Sequence, residues 1–314
     1  MAHLYIYSPA GAVRDKAGFK RGIKRLESQG HQVEIDKDAL TSHERFAGDD
    51  TTRLQAIARA ASSGANLTLI TRGGYGLTRI LPQITYKQIA KSIANGTHWM
   101  GYSDFTAFQA ALLAKTGAAT ISGASLIADF GVDASQTEVD DITEACFDDV
   151  IRGQNEGSGW MLPKRSLADR ALCEQYAAKP LSIKASRLWG GNLSVLTSLI
   201  GTPYLPEVQG GVLWFEDTGE SPYRIERMLT QWLHAGLLAQ QKAIVLGQFT
   251  EAKLYPHDKG FTMASVVARL RSQLKIPVLT GLPFGHVPTK VMLPFGAPVR
   301  LLCDGSDAIL LWDE

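Results

Sequence analysis

The feature that most constrains this chain is the steady exchange of short apolar runs with helix-spaced ones through its first half. HLYIYS reads as a strand, Phe19, Ile23 and Leu26 then recur at helical spacing, Gly30 supplies a stop, and QVEI is a second strand. DDTTRLQAIARAASSG places Leu54, Ile57, Ala58 and Ala61 on one helix face, with acidic residues at the end the helix dipole favours. NLTLIT, the turn RGGYG, the helical LTRILPQI, the strand THWMGY, a helix from Thr106 and the strand AATIS continue the series. Strands alternating with helices predict an α/β fold whose parallel sheet is covered on both faces.

A chain of 314 residues exceeds the usual size of one domain. A helix is expected from about Glu138 to Ile151, and the Gly- and Ser-rich RGQNEGSGWMLPKRS after it reads as a linker. The expected division is therefore 1–153, a linker over 154–175, and a second domain over 176–314. That domain opens with LSIKASRLWGGNLSVLTSLIG, read as strand, glycine turn and helix, and continues with the buried strand GVLWFED. SPYRIERMLTQWLHAG is a helix with Ser221 as N-cap and Pro222 at its first position, and KAIVLGQF, TMASVVARLRSQL, PVLTGLPFG and a β-rich tail follow.

Charge and cysteine content exclude several function classes. Lysine and arginine number 32 against 31 acids, with no basic run, so a nucleic-acid partner is not expected. No apolar run approaches the ~18 residues of a membrane span, and MAHLYIYSPAG lacks the features of a signal peptide, so a cytoplasmic location with no membrane partner is expected. Cys146, Cys173 and Cys303 follow no metal-binding spacing and read as core residues.

Two glycine-rich stretches follow strands, RGGYG at 72–76 and WGGN at 189–192. Each could be a tight turn, a phosphate cradle or an oxyanion hole, although neither GxGxxG nor GxxxxGK[ST] is present. In GYSDF, Ser103 stands between an apolar run and a helix, the setting of a helix cap and equally of a nucleophile elbow. GxSxG fails at Phe105, and Ser125 is a weaker rival. A serine nucleophile needs a base and an orienting acid. His286 in a glycine- and proline-bounded loop and Glu216 at the end of VLWFE suit those roles, whereas Asp217 and Glu220 suit solvated or capping positions.

RFAG at 45–48, TRGGYGLTRIL, GYSDFTAFQ, LWGGNLSVLTSLIGTP, WFEDTGESPYRIERML and TGLPFGH occur in this order, and together they resemble the LD-carboxypeptidase (muramoyltetrapeptide carboxypeptidase) family. The resemblance runs from SPAG to the LPFGA segment, nearly the whole chain. It implies an N-terminal Rossmann-like domain with a parallel sheet and a smaller C-terminal α/β domain rich in β-structure. It also implies a serine peptidase that releases terminal D-alanine from murein tetrapeptides in cell-wall recycling, with no metal or other cofactor, as a homodimer. The family's nucleophile, acid and base fall on Ser103, Glu216 and His286, and its oxyanion donors on the amides of Gly74 and Asp104. These residues come from both domains, so the resemblance implies a site in the cleft between them. Arg72 and Arg224 are candidates for the substrate carboxylate, and Trp189 and Asn192 for lining the site. Two further readings remain: a related hydrolase acting on peptide- or aminoacyl-nucleotide antibiotics, and a binding module without chemistry.

Overall fold

The computed structural model describes residues 1–133, 135, 139–164 and 166–312. Two compact units divide the chain. One comprises residues 1–155, 201–206 and 288–295, the other 156–200, 207–287 and 296–314.

The first unit is built on five parallel strands, β1 (His3–Tyr7), β2 (Gln32–Ile35), β3 (Leu67–Ile70), β4 (His98–Gly101) and β5 (Thr120–Ser122). They lie in the order β5-β4-β3-β1-β2, so the strand order reverses between β1 and β3. The expected helix face is real: Phe19, Ile23 and Leu26, on helix Lys16–Ser28, pack in one core with Leu4, Ile6, Leu67, Leu69 and Met100 of the strands. Asp49 caps helix Asp50–Ser62 through Thr52 N. LTRILPQI forms a single helical turn, Leu77–Ile80, and a 3-10 turn, Leu81–Gln83, because Pro82 has no N–H to continue the helix. A further helix, Tyr86–Ala94, follows, with Tyr86, Ile89, Ala90 and Ile93 at helical spacing. Helix Asp141–Arg152 matches the expected one apart from its start, since Glu138 lies outside the described residues.

The expected linker holds ordered structure. Within 154–175 lie β6 (Gly157–Met161) and most of helix Leu167–Ala178, which Ser166 opens with a capping box. In β6 the exposed Gly157, Gly159 and Met161 alternate with the buried Ser158 and Trp160, a pattern that the glycines hide in the sequence. β6 edges a seven-stranded mixed sheet with β7 (Leu181–Asn192), β8 (Val212–Thr218), β9 (Ala243–Thr250), β10 (Val278–Thr280), β12 (Pro298–Asp304) and β13 (Asp307–Leu311). β7 to β10 are parallel neighbours, and the rest pair antiparallel. WGGN is not a turn, because β7 runs through it to Asn192. A Cβ at Gly190 would stand 2.0 Å from Trp214 O, so glycine is required there by the close approach of β8.

The chain does not stay in the second unit to its end. β11 (Leu293–Phe295) pairs antiparallel with β5 as the sixth strand of the first sheet. Cys173 and Cys303 are buried and Cys146 partly so, and burial pushes the Cys303 thiol up to about 11. No helix among the described residues is long and apolar enough to cross a membrane.

Candidate active site

In the first unit, β4 ends at Gly101 and helix Phe105–Thr116 begins at Phe105, leaving three residues for a sharp turn. Ser103 takes the strain, with φ +64°. For an L-residue this left-handed conformation costs about 1–2 kcal/mol. The helix starts at Phe105, so Ser103 stands one residue before its cap position and the cap reading of Ser103 does not hold. The cap position is Asp104, and it makes no side-chain cap bond.

The Asp104 side chain reaches across to the other loop instead. Its Oδ2 accepts from Leu77 N at 2.9 Å, and burial pushes the carboxyl up to about 6. RGGYG is thereby tied to the serine turn. Arg53, fully buried, donates from Nη1 to Gly76 O at 2.7 Å and holds the far end of the same loop. A Cβ added at Gly73 would stand 2.8 Å from both Cβ and Oγ of Ser103. Gly74, at φ +92°, needs its freedom for the turn itself. The sequence stretch thus forms a tight loop in contact with the serine.

The rival Ser125 is structural. Its N–H and Oγ both donate to Asp129 Oδ2, at 2.7 and 3.3 Å, and Asp129 also forms a 2.7 Å ion pair with Lys290 in which both side chains are buried. Lys290 Nζ lies 5.1 Å from the centre of the Tyr102 ring. Thr289 Oγ1 donates to Asp140 Oδ2 at 2.6 Å, and Lys290 N to Thr143 Oγ1 at 2.7 Å. Nothing in their sequence spacing announces these partners.

In the second unit, Glu216 sits near the carboxyl end of β8, where side chains of a parallel sheet face the loops. Its side chain is 1% exposed, and Oε2 stands 2.8 Å from His286 Nδ1. An ionised carboxylate only accepts, so Nδ1 carries the proton in this pair and Nε2 is the basic nitrogen. The loop bearing His286 is tightly held. Phe284 packs on Trp214 at 4.5 Å, Gln248 N donates to Phe284 O at 2.8 Å, and Gly285, at φ +146°, lets the backbone pass where a Cβ would be 3.4 Å from Glu216 Cβ.

The expected lining residues both have partners within the second unit. Asn192 donates from Nδ2 to Glu216 Oε1 at 3.2 Å and Asp217 Oδ1 at 3.0 Å, while its Oδ1 accepts from Val195 N. It bridges two carboxylates and caps helix Leu193–Ser198. Trp189 is a core residue, its Nε1 donating to Gln241 and its ring tilted on Trp232 at 5.9 Å. Asp217 is not solvated: it is 3% exposed and takes both N–H and Oγ of Ser194. Burial, with the neighbouring Glu216 charge, pushes its carboxyl upward. The signal that could have found it is a second carboxylate closing a strand that is otherwise apolar. Arg224 is engaged on the surface of helix Pro222–His234 by Glu220, one turn earlier. Arg72 is partly buried and donates from Nη1 to Ala12 O at 3.1 Å.

A cavity of about 550 Å³ in the second unit is lined by Met161, Leu246, Met263 and Val267 and by the Asp169–Arg271 ion pair, without Glu216 or His286. Among the described residues no three His, Cys, Asp or Glu side chains are grouped as a metal centre would need.

The first unit thus holds a strained serine beside a glycine turn, and the second a histidine hydrogen-bonded to a buried carboxylate. The sequence matches the LD-carboxypeptidase N-terminal domain over residues 4–123 and the LD-carboxypeptidase C-terminal domain over residues 185–301. A Synechocystis sp. protein named as a carboxypeptidase is 31% identical, over 98% of this chain and 93% of that one. A probable murein peptide carboxypeptidase of Bacillus subtilis is 30% identical (91% and 84% covered), and the microcin C7 self-immunity protein of Escherichia coli 28% (96% and 90%). The crystal structure of muramoyltetrapeptide carboxypeptidase from Oxalobacter formigenes superposes with a TM-score of 0.84 at 36% identity, covering 99% of both chains. The strand order, the serine turn and the sequence matches agree, and the chain belongs to the LD-carboxypeptidase family of peptidases.

Proposed function

We propose that this protein is a serine carboxypeptidase that cleaves the L,D peptide bond of murein tetrapeptides and releases terminal D-alanine, acting in the cytoplasm as a homodimer in cell-wall recycling. The observation that carries this reading is the left-handed backbone of Ser103. A strained residue persists where its surroundings over-determine it, and such residues cluster at reacting positions. Support for the substrate comes from the murein peptide carboxypeptidase and muramoyltetrapeptide carboxypeptidase relatives.

In this reading Ser103 Oγ attacks the scissile carbonyl while His286 Nε2 takes its proton. The carbonyl oxygen becomes an oxyanion and receives hydrogen bonds from the amides of Gly74 and Asp104, each worth about 3 kcal/mol in the transition state. Collapse of that intermediate breaks the C–N bond, and the imidazolium returns the proton to the leaving amine of D-alanine. Water then attacks the acyl-serine, with His286 again as base, and the tripeptide leaves with a new carboxylate. Glu216 fixes the tautomer of His286 throughout and stabilises its charged form; Asn192, bound to Glu216, holds that carboxylate in place.

The test is D-alanine release from murein tetrapeptide by wild type and Ser103→Ala, with chelator present. Tripeptide from wild type alone supports the reading, and equal release by both proteins sinks it. The likeness to the microcin C7 self-immunity protein favours one second reading, hydrolysis of an aminoacyl-nucleotide amide. Turnover of such an amide with no tripeptide formed would select it.

A further inference from the structure

The first sheet reverses its strand order between β1 and β3, and in open α/β sheets a ligand crevice opens at the carboxyl ends of the strands where this happens. The two loops there are Ala10–Ala12 after β1 and Thr71–Gly74 after β3. They touch closely: a Cβ at Gly11 would stand 2.9 Å from Gly73 O and 3.7 Å from Arg72 Cζ. Ala12 O accepts from Arg72 Nη1 at 3.1 Å. Arg14 follows two residues on, and Arg45, whose backbone carbonyl accepts from Ala12 N at 3.0 Å, places its guanidinium over the Tyr75 ring, 5.6 Å from its centre.

None of these three arginines forms an ion pair among the described residues, although nearby Arg53 and Arg79 both pair with Asp50. Arg72 is partly buried, and beyond its bond to Ala12 its guanidinium has Nε and Nη2 without a partner among the described residues. Desolvation, then the charges of Arg14 and Arg45, push its pKa down. A partly buried cation beside like charges is costly unless an anion completes the group.

We infer that Arg72, supported by Arg14 and Arg45, is the subsite that receives the free carboxylate of the leaving residue. The assignment rests on the carboxypeptidase reading above and chooses Arg72 over Arg224, whose guanidinium Glu220 already holds. Span supports it. A C-terminal carboxylate lies one residue beyond the scissile carbonyl, about 3.8 Å from Cα to Cα. Arg72 is the residue next to Gly73, which abuts Ser103, and its Nη2 stands 3.3 Å from where a Cβ of Gly74 would be. A planar fork matches a carboxylate with two parallel hydrogen bonds, and the surrounding positive charge draws the anion in. The site therefore selects exopeptidase substrates: a chain continuing past the leaving residue leaves the arginines without their anion.

The experiment measures binding of acetyl-L-lysyl-D-alanine and of its C-terminal amide to the Ser103→Ala protein, so that no turnover is required. The acid is expected to bind 10- to 100-fold more tightly than the amide. Arg72→Met in the same background should bring that ratio close to one, Arg72→Lys should leave it intermediate, and Arg14→Met or Arg45→Met should lower it a few-fold. Equal binding of acid and amide, or an undiminished ratio in Arg72→Met, overturns the assignment. So does displacement of the acid by millimolar inorganic phosphate, which would mark a phosphate site. If the acid is preferred through Arg72 while wild type releases no D-alanine from murein tetrapeptide, the carboxylate site stands and the proposed function falls.

Discussion

Gly73→Ala should disable the protein through one collision. The new Cβ would stand 2.8 Å from both Cβ and Oγ of Ser103, whereas carbon atoms in contact settle at about 3.5–4.0 Å. The next atom it would meet, Asp104 N, is at 3.5 Å, and the backbone of Gly73 is not left-handed, so Ser103 is the obstacle. Ser103 cannot give way cheaply, since its carbonyl already accepts from Thr106 N at 3.0 Å in the first turn of the helix. Relief requires a shift of about 0.7–1.2 Å, an overpacking cost of about 1–3 kcal/mol. A displacement of that size at a reacting atom costs on the order of a hundredfold in rate. A double-mutant cycle with Ser103→Gly, which removes both colliding atoms, isolates the contact. In urea unfolding, Gly73→Ala should cost about 1–3 kcal/mol in the wild-type background and be neutral or favourable in the Ser103→Gly background. D-alanine release by Gly73→Ala should fall about a hundredfold. The same destabilisation in both backgrounds, or unchanged kinetics, would refute the reasoning.

The elbow strain has its own signature: Ser103→Gly should be more stable than Ser103→Ala by about 0.5–1 kcal/mol, the reverse of the usual order, because glycine accepts φ +64°. A more stable alanine variant would mean a relaxed turn. Asp104, its carboxyl pushed up to about 6, binds its proton more tightly when folded than in the unfolded chain. The stability it contributes is complete below about pH 3.9 and lost as pH rises through about 6. Asp104→Asn, whose amide oxygen can still accept from Leu77 N, should therefore gain on wild type by about 2–3 kcal/mol between pH 4 and 7.5. A pH-independent difference would count against this. Lys290→Met leaves Asp129 buried without its counter-charge and should cost about 3–5 kcal/mol, much of it recovered by adding Asp129→Asn. A double variant no more stable than the single would show that the ion pair is not what the substitution breaks.

Period and order in the chain were enough for the architecture of the first unit and for the family. Helix Lys16–Ser28 buries the residues its 3.6-residue spacing marks, and β1 to β5 follow the apolar runs, because local pattern and sheet packing agree there. The six ordered motifs likewise pointed to Ser103, Glu216 and His286. Three things depended on partners distant in sequence. The strand hidden in the supposed linker exists because β13, about 150 residues on, supplies its ladder. Segment Pro288–Phe295 returns to the first unit through Asp129, Asp140 and β5, none of which its own composition reveals. The partners of the polar candidates also come from elsewhere in the chain. Asn192 is taken up by two carboxylates and Trp189 by Gln241 and a tryptophan, whereas Arg72 is left with no acid among the described residues. Residue type determines what a side chain can bind; only the tertiary structure decides which of its hydrogen bonds the protein has already used, because those partners are brought together by folding and not by sequence.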